Sequence, residues 1–133
     1  NNKSINALFE IYGEAYFREI ERNALQELLE KSSTDILSCG GGTPCFYDNM
    51  SRMNAAGLTV FLDIPVAIIV KRVATNHDRP LLKNKNLEKT ITQMRVERIQ
   101  YYNQAQIIFS EPGNQAKQVL EIQSYLKIQS KGK

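Results

Sequence analysis

Short apolar runs alternate along this chain with longer stretches of helical periodicity, and that alternation restricts the folds open to it. The clearest run, Leu58-Thr59-Val60-Phe61-Leu62-Asp63, is β-branched and apolar until its last residue, the composition of a strand buried on both faces. Ile36-Leu37-Ser38-Cys39 reads as a short buried strand, and Ile107-Ile108-Phe109 as a last short one. Ser4 is placed to cap a helix from Ile5 to Tyr12 that Gly13 ends, and a second helix starts near Glu14 with an acidic first turn and runs to about Lys31. Asp48 caps a predicted helix from Asn49 to Ala56, closed by Gly57. Further helices are expected from Val66 to about Ala74, with Ile68, Ile69 and Val73 on the apolar side, from Leu87 to Tyr102, and from Ala116 to Lys127. Thr43-Pro44, Ile64-Pro65 and Glu111-Pro112-Gly113-Asn114 read as turns. Strands separated by such helices predict an α/β fold, helices layered on both faces of a parallel sheet with right-handed crossovers.

A chain of 133 residues suits one domain that buries about two-thirds of its unfolded surface. No apolar run approaches the ~18 residues of a membrane helix, so membrane insertion is not expected. The net charge is +3, with lysines scattered or gathered in the tail Lys127 to Lys133 and not interleaved with aromatics. That pattern argues against a nucleic-acid groove and suits a small anionic substrate. Cys39 and Cys45 with one histidine make neither a disulfide framework nor a zinc site of known spacing, so both read as reduced thiols in a cytoplasmic protein, and no metal ligand is assigned. Asn1-Asn2-Lys3-Ser4 shows no secretory pattern and no initiating methionine, so a segment upstream is expected.

Gly40-Gly41-Gly42 follows the apolar run at Ile36 and puts bare backbone N–H groups where a polar small molecule can approach closely. A ligand-free tight turn is the plainer alternative. Arg18 and Glu21 lie three apart on one helix face, so the carboxylate can orient a guanidinium suited to carboxylate or phosphate; a solvated surface pair has the same spacing. Residues 76–86 are polar, hold a proline and carry Arg79, Lys83 and Lys85 beside the preceding Lys71 and Arg72. They read as a flap whose Arg79 can swing over a phosphate, or as an ordinary basic loop. Arg98, one turn before Tyr102, is either a further anion-binding cation or a surface arginine lying over an aromatic. Asp63 ends its strand where α/β proteins place ligand residues, or caps the next turn. His77 reads as an exposed loop residue and Cys39 as a small buried filler.

Taken together and in order, these segments resemble shikimate kinase. The matching pieces are Leu8-Phe9-Glu10 with Gly13-Glu14, Phe17-Arg18-x-x-Glu21, Leu37-Ser38-Cys39-Gly40-Gly41-Gly42, Val60-Phe61-Leu62, Arg72 with Arg79-Pro80-Leu81-Leu82, and Arg98-x-x-x-Tyr102, across Ser4 to about Leu126. The resemblance implies a P-loop kinase of the nucleoside-monophosphate-kinase-like branch, with ATP and Mg2+. It would move the γ-phosphoryl of ATP to the 3-hydroxyl of shikimate in chorismate and aromatic amino acid biosynthesis, as a monomer. It further implies that Arg18 and Arg98 pair with the shikimate carboxylate, that Glu21 fixes Arg18, and that the amides around Gly40, Gly41 and Gly42 meet the ring hydroxyls. Phe9 and Phe17 would wall the pocket, Arg79 would reach the transferring phosphoryl, Arg72 would lie by the adenine, and Gln115 would mark the adenine loop.

Members of that family begin with a strand, a phosphate loop and an Asp-x-Asp segment, which would all lie upstream of Asn1. No Gly-x-x-x-x-Gly-Lys-[Ser/Thr] occurs in the 133 residues, and Gly132-Lys133 has no glycine loop before it. The expectation is therefore a shikimate kinase whose 133 residues alone do not transfer a phosphoryl group. Two alternatives stay open: a non-catalytic shikimate-binding fragment, and a related small-molecule kinase such as a gluconate kinase.

Overall fold

In a computed structural model, the structure describes residues 4–31, 36–74, 86–110 and 115–131. They fall into two compact units, Asn1–Gly57 and Leu58–Lys133, each considered by itself.

The first unit is built on α1, Ile5–Glu30, which is two helices joined at a sharp bend. Ser4 caps it as its sequence position predicts, its Oγ accepting from the N–H of Ala7 at 3.2 Å. The bend is at Gly13, whose φ of 80° and ψ of 173° lie in a region that only glycine occupies without strain. It brings the Phe9 and Phe17 rings to 4.5 Å between centroids. A 3-10 turn, Thr43–Cys45, and α2, Asn49–Ala56, pack on α1. Among the described residues of this unit the buried apolar side chains are Leu25 and Met50, each worth about 1.5–3 kcal/mol of burial. The bounds of α2 agree with the sequence reading, and the N–H of Gly57 closes the helix on the carbonyl of Met53 at 3.0 Å. Asp48 differs from expectation: its carboxylate makes no capping bond and instead pairs with Arg52 and Arg22.

Residues 36–39 correct the sequence reading, because among the described residues they belong to no strand, and Ile36 is 91% exposed. A β-strand is held by a neighbouring backbone, and an apolar run alone does not supply one. Cys39 is likewise exposed, not a buried filler.

The second unit carries the sheet. Strands β1, Val60–Leu62, and β2, Ile107–Phe109, pair in parallel with Val60 opposite Ile107 and Leu62 opposite Phe109. The ladder is extended by the N–H of Ile107 donating to Thr59 and that of Asp63 donating to Phe109. Parallel pairing needs a long connection, and here it contains α3, Val66–Ala74, and α4, Leu87–Tyr102, packed on each other. This is the α/β arrangement expected, with both helices at the predicted bounds. The expected burial of β1 on both faces is not met: Val60 and Leu62 are exposed and Phe61 is half-buried against Tyr102, ring centroids 5.0 Å apart. Among the described residues here the buried apolar positions are Ile91 and Phe109. Helix α5, Gln115–Lys131, extends slightly beyond the predicted segment at both ends.

Candidate functional site

In the first unit, Phe9, Phe17, Glu21, Gly40 and Gly42 gather at the guanidinium of Arg18. Its side chain is 11% exposed although it leaves an otherwise open helix face, which sets aside the solvated surface pair. Nη1 donates to Glu21 Oε2 at 2.7 Å, while Nε and Nη2 both donate to Glu14 Oε1 at 3.3 and 3.1 Å. The spacings of three and four residues put both carboxylates on the face of the arginine. The two are unequal partners, Glu21 being 17% exposed and Glu14 56%.

Three rings surround the same cation. The guanidinium carbon lies 4.2 Å from the centroid of Phe46, 5.1 Å from Phe17 and 6.0 Å from Phe9, the last two brought together by the bend at Gly13. Such contacts contribute about 0.5–2 kcal/mol each and hold the plane of the group.

The glycine run reaches Arg18 directly. A Cβ at Gly42 would stand 2.8 Å from both Nη1 and Nη2, so the missing side chain makes room for the guanidinium. At Gly40 a Cβ would meet Thr43 Oγ1 at 3.4 Å and Glu21 Oε1 at 3.8 Å. Thr43 Oγ1 donates to Glu21 Oε1 at 2.7 Å, so one carboxylate ties the turn after the glycines to the arginine. Asn49, fully buried in α2, donates from Nδ2 to the Thr43 carbonyl at 2.9 Å, and its Oδ1 is unpartnered among the described residues. Gly41 is exposed and its carbonyl faces the Cys45 thiol at 3.6 Å. The Cys39 thiol sits 3.7 Å from Met53 Sδ; desolvation, then the Glu21 charge, pushes its pKa up, so it is no activated nucleophile.

Phe9, Phe17, Arg18, Glu21, Gly40 and Gly42 thus belong to one cluster. Sequence reasoning misses Glu14, Thr43 and Phe46. Glu14 is readable from its spacing of four to Arg18, whereas Thr43 and Phe46 have no spacing that points to them.

In the second unit, Arg98 is half-buried on α4, Arg72 is exposed at the end of α3, and Gln115 begins α5. Arg79 and His77, with residues 76–85 of the flap predicted over 76–86, lie outside the described residues, and Asn86 precedes α4. Among the described residues Asp63 pairs with Arg95, a further residue that sequence reasoning misses, and this bond raises the arginine's pKa further. The pair ties the end of β1 to α4. Among the described residues no group of three or more His, Cys, Asp or Glu could hold a metal ion, and no helix is long and apolar enough to cross a membrane.

A shikimate kinase family model matches residues 1–127. The shikimate kinase of Bacteroides thetaiotaomicron is 42% identical over 113 residues, which are 82% of this chain and 64% of that protein. That of Azobacteroides pseudotrichonymphae is 40% identical over 111 residues, 80% of this chain and 65% of that protein. The chain therefore spans a little under two thirds of the length of these curated relatives. Among solved structures, a 1.7 Å crystal structure of shikimate kinase from Bacteroides thetaiotaomicron is similar with a TM-score of 0.83 at 39% identity, covering 94% of this chain and 76% of that one. Shikimate kinase from Acinetobacter baumannii in complex with shikimate is similar with a TM-score of 0.79 at 27% identity, covering 98% of this chain and 73% of that one.

Proposed function

The chain belongs to the shikimate kinase family, and from that premise we propose that its residues form the acid-binding part of an ATP:shikimate 3-phosphotransferase. The observation that carries this reading is the held guanidinium of Arg18. A cation that is fixed by Glu21, covered by three rings and laid against the bare Cα of Gly42 has a set orientation before any ligand arrives. Preorganised charge of this kind binds a carboxylate without a further loss of side-chain freedom.

Of the five N–H donors on a guanidinium, the contacts of Arg18 with Glu14 and Glu21 use three, leaving two for an anionic ligand. The shikimate carboxylate is assigned to these, with Glu14, the exposed and longer-bonded partner, the one a ligand can displace. Gly40, Gly41 and Gly42 offer amides to the ring hydroxyls, and Phe9 and Phe17 supply the apolar wall. Family resemblance supports Arg98 as a second cation for the carboxylate, Arg79 for the transferring phosphoryl, and Arg72 and Gln115 for the adenine end. The whole is read as one kinase domain, monomeric and cytoplasmic.

In the reaction proposed, the 3-hydroxyl oxygen of shikimate attacks the γ-phosphorus of ATP and the hydroxyl proton is released to solvent, the bond to the β-γ bridging oxygen breaks, and ADP leaves. Mg2+ would neutralise the phosphate charge in such a transfer. No cluster among the described residues supplies its ligands.

Titration calorimetry with shikimate, with a coupled ADP-release assay, tests the reading. The 133 residues are expected to bind shikimate without turning over ATP. A chimera carrying the first strand and phosphate loop of a relative is expected to release ADP only with shikimate present. Absence of shikimate binding by the chain, or of shikimate-dependent turnover by the chimera, rejects it. Arg18→Ala should abolish discrimination against the methyl ester of shikimate; unchanged selectivity would point to a different acceptor.

A further inference from the structure

We propose that the turn from Gly42 to Phe46 is the element that orients Arg18 toward its anionic ligand, with Thr43 and Phe46 as positioning residues. The inference rests on the functional reading above only for the identity of that ligand.

An arginine on a helix face has several rotatable bonds, and fixing them costs side-chain entropy that some set of contacts must offset. Within α1, Phe17 and Phe9 lie 5.1 and 6.0 Å from the guanidinium carbon, and the carboxylates of Glu14 and Glu21 reach its edge. Glu14 is more than half exposed, and Glu21 is a flexible side chain whose carboxylate needs its own anchor.

That anchor comes from the turn. Thr43, only 5% exposed, donates its hydroxyl to Glu21 Oε1, leaving Oε2 for Arg18 Nη1. Asn49 holds the carbonyl of Thr43 and is itself wholly enclosed in α2. Orientation is thus passed from the buried side of α2, through the backbone of the turn and one hydroxyl, to a carboxylate and then to the cation.

Phe46 acts on the same group from its face. Its ring is the nearest of the three to the guanidinium carbon, at 4.2 Å, and it is the one supplied from outside α1. Gly42 leaves the space in which the group lies. Edge, face and floor of the guanidinium are therefore fixed by residues 42, 43 and 46.

Four variants of the 133-residue chain test this: Phe46→Leu, Phe46→Tyr, Thr43→Val and Thr43→Ser. Two measurements are made on each, the arginine Nε–Hε correlations in an NMR spectrum without ligand and the shikimate dissociation constant. The Arg18 resonance, assigned by its loss in Arg18→Lys, is expected to carry a ring-current shift that Phe46→Leu removes and Phe46→Tyr retains. Thr43→Val should broaden or move it and Thr43→Ser restore it. Shikimate affinity should fall about three- to fivefold in Phe46→Leu and about tenfold in Thr43→Val, with the conservative variants within about twofold of wild type.

An Arg18 resonance indifferent to Phe46 and Thr43 overturns the proposal. So does a resonance that responds as expected while shikimate binds equally to wild type, Phe46→Leu and Thr43→Val. If the resonance responds but the wild-type chain binds no shikimate, the reading of the ligand fails while the positioning of Arg18 by the turn is upheld.

Discussion

The guanidinium of Arg18 lies against the Cα of Gly42, so near that a Cβ there would stand 2.8 Å from each terminal nitrogen. The glycine therefore does more than expose an amide, because it leaves the volume that the arginine fills. Gly42 has a φ of −86°, which any L-residue adopts, so Gly42→Ala carries no torsional penalty. The whole effect should appear at Arg18, which must swing out of the contacts to Glu14 and Glu21. Displacing Arg18 gives up its ring contacts and leaves Glu21 without its cation, so the melting temperature should fall, and the shikimate dissociation constant should rise about tenfold or more, the loss of a charge-assisted hydrogen bond. Calorimetric titration of the variant checks this, and wild-type affinity would show that the arginine's position is immaterial to binding.

Glu14 and Glu21 both carry negative charge to Arg18, yet they should respond oppositely to neutralisation. Glu21 is largely buried and tied to Thr43, and Glu21→Gln removes the charge and leaves one acceptor oxygen for two donors, so either the hydroxyl or the cation loses its partner. It should weaken shikimate binding about tenfold or more and lower the melting temperature. Glu14 is exposed, and under the proposed reading a ligand carboxylate would compete with it for the same donors. Its ion pair contributes about 0–1 kcal/mol to stability, so Glu14→Gln should leave melting nearly unchanged and tighten shikimate binding a few-fold. Weakening of shikimate binding by both substitutions would mean that Glu14 is a permanent part of the clamp.

Much of this arrangement can be read from the sequence where the signal is local. The bounds of α2, α3, α4 and β2 follow from periodicity and from Gly57 and Pro65, because helix ends are set by residues within one turn. Arg18 with Glu21 is legible for the same reason, being an i, i+3 pair. What escapes depends on contacts across the chain. An apolar run at Ile36 reads as a buried strand, yet among the described residues it joins no sheet. The bond from Thr43 to Glu21 joins residues 22 positions apart, and that between Arg95 and Asp63 spans 32, so neither has a spacing that marks it in the sequence. The glycine run reads as an amide floor from its composition; its second use, clearing space for Arg18, is visible only once the side chain above it is placed.

Gly13 sets the angle at which Phe9 returns to Phe17, and its backbone at φ 80° is closed to other residues. A Cβ at this position would meet nothing within 4 Å, so the cost of Gly13→Ala is torsional and not steric. Holding the bend with alanine should destabilise the chain by about 1–3 kcal/mol. Straightening it instead would let the helix run on and part the two rings. In either case shikimate affinity should fall along with the melting temperature, measured by circular dichroism and calorimetry. A stable variant with wild-type affinity would remove the bend from the account of the site.

Asp48 provides a pH dependence whose sign follows from its partners. Its pKa is held below the ordinary value near 3.8, foremost by the hydrogen bond from Arg52 and least by the charge of Arg22, with partial desolvation opposing. A carboxylate depressed in the folded state contributes stability that is fully present above its unfolded pKa and is lost as pH falls through the folded value. The contribution is small, because this carboxylate is exposed and solvent screens it. Other carboxylates titrate in the same range, so the informative quantity is the difference between wild type and Asp48→Asn. Denaturant midpoints measured from pH 7 down to about 2 should show wild type ahead by a constant margin until pH approaches about 4, below which the two curves converge. A margin that persists unchanged to the lowest pH would show that the aspartate stabilises α2 by something other than its charge, and a margin that widens on acidification would mean that the folded protein holds this carboxyl's proton more tightly than the unfolded chain does.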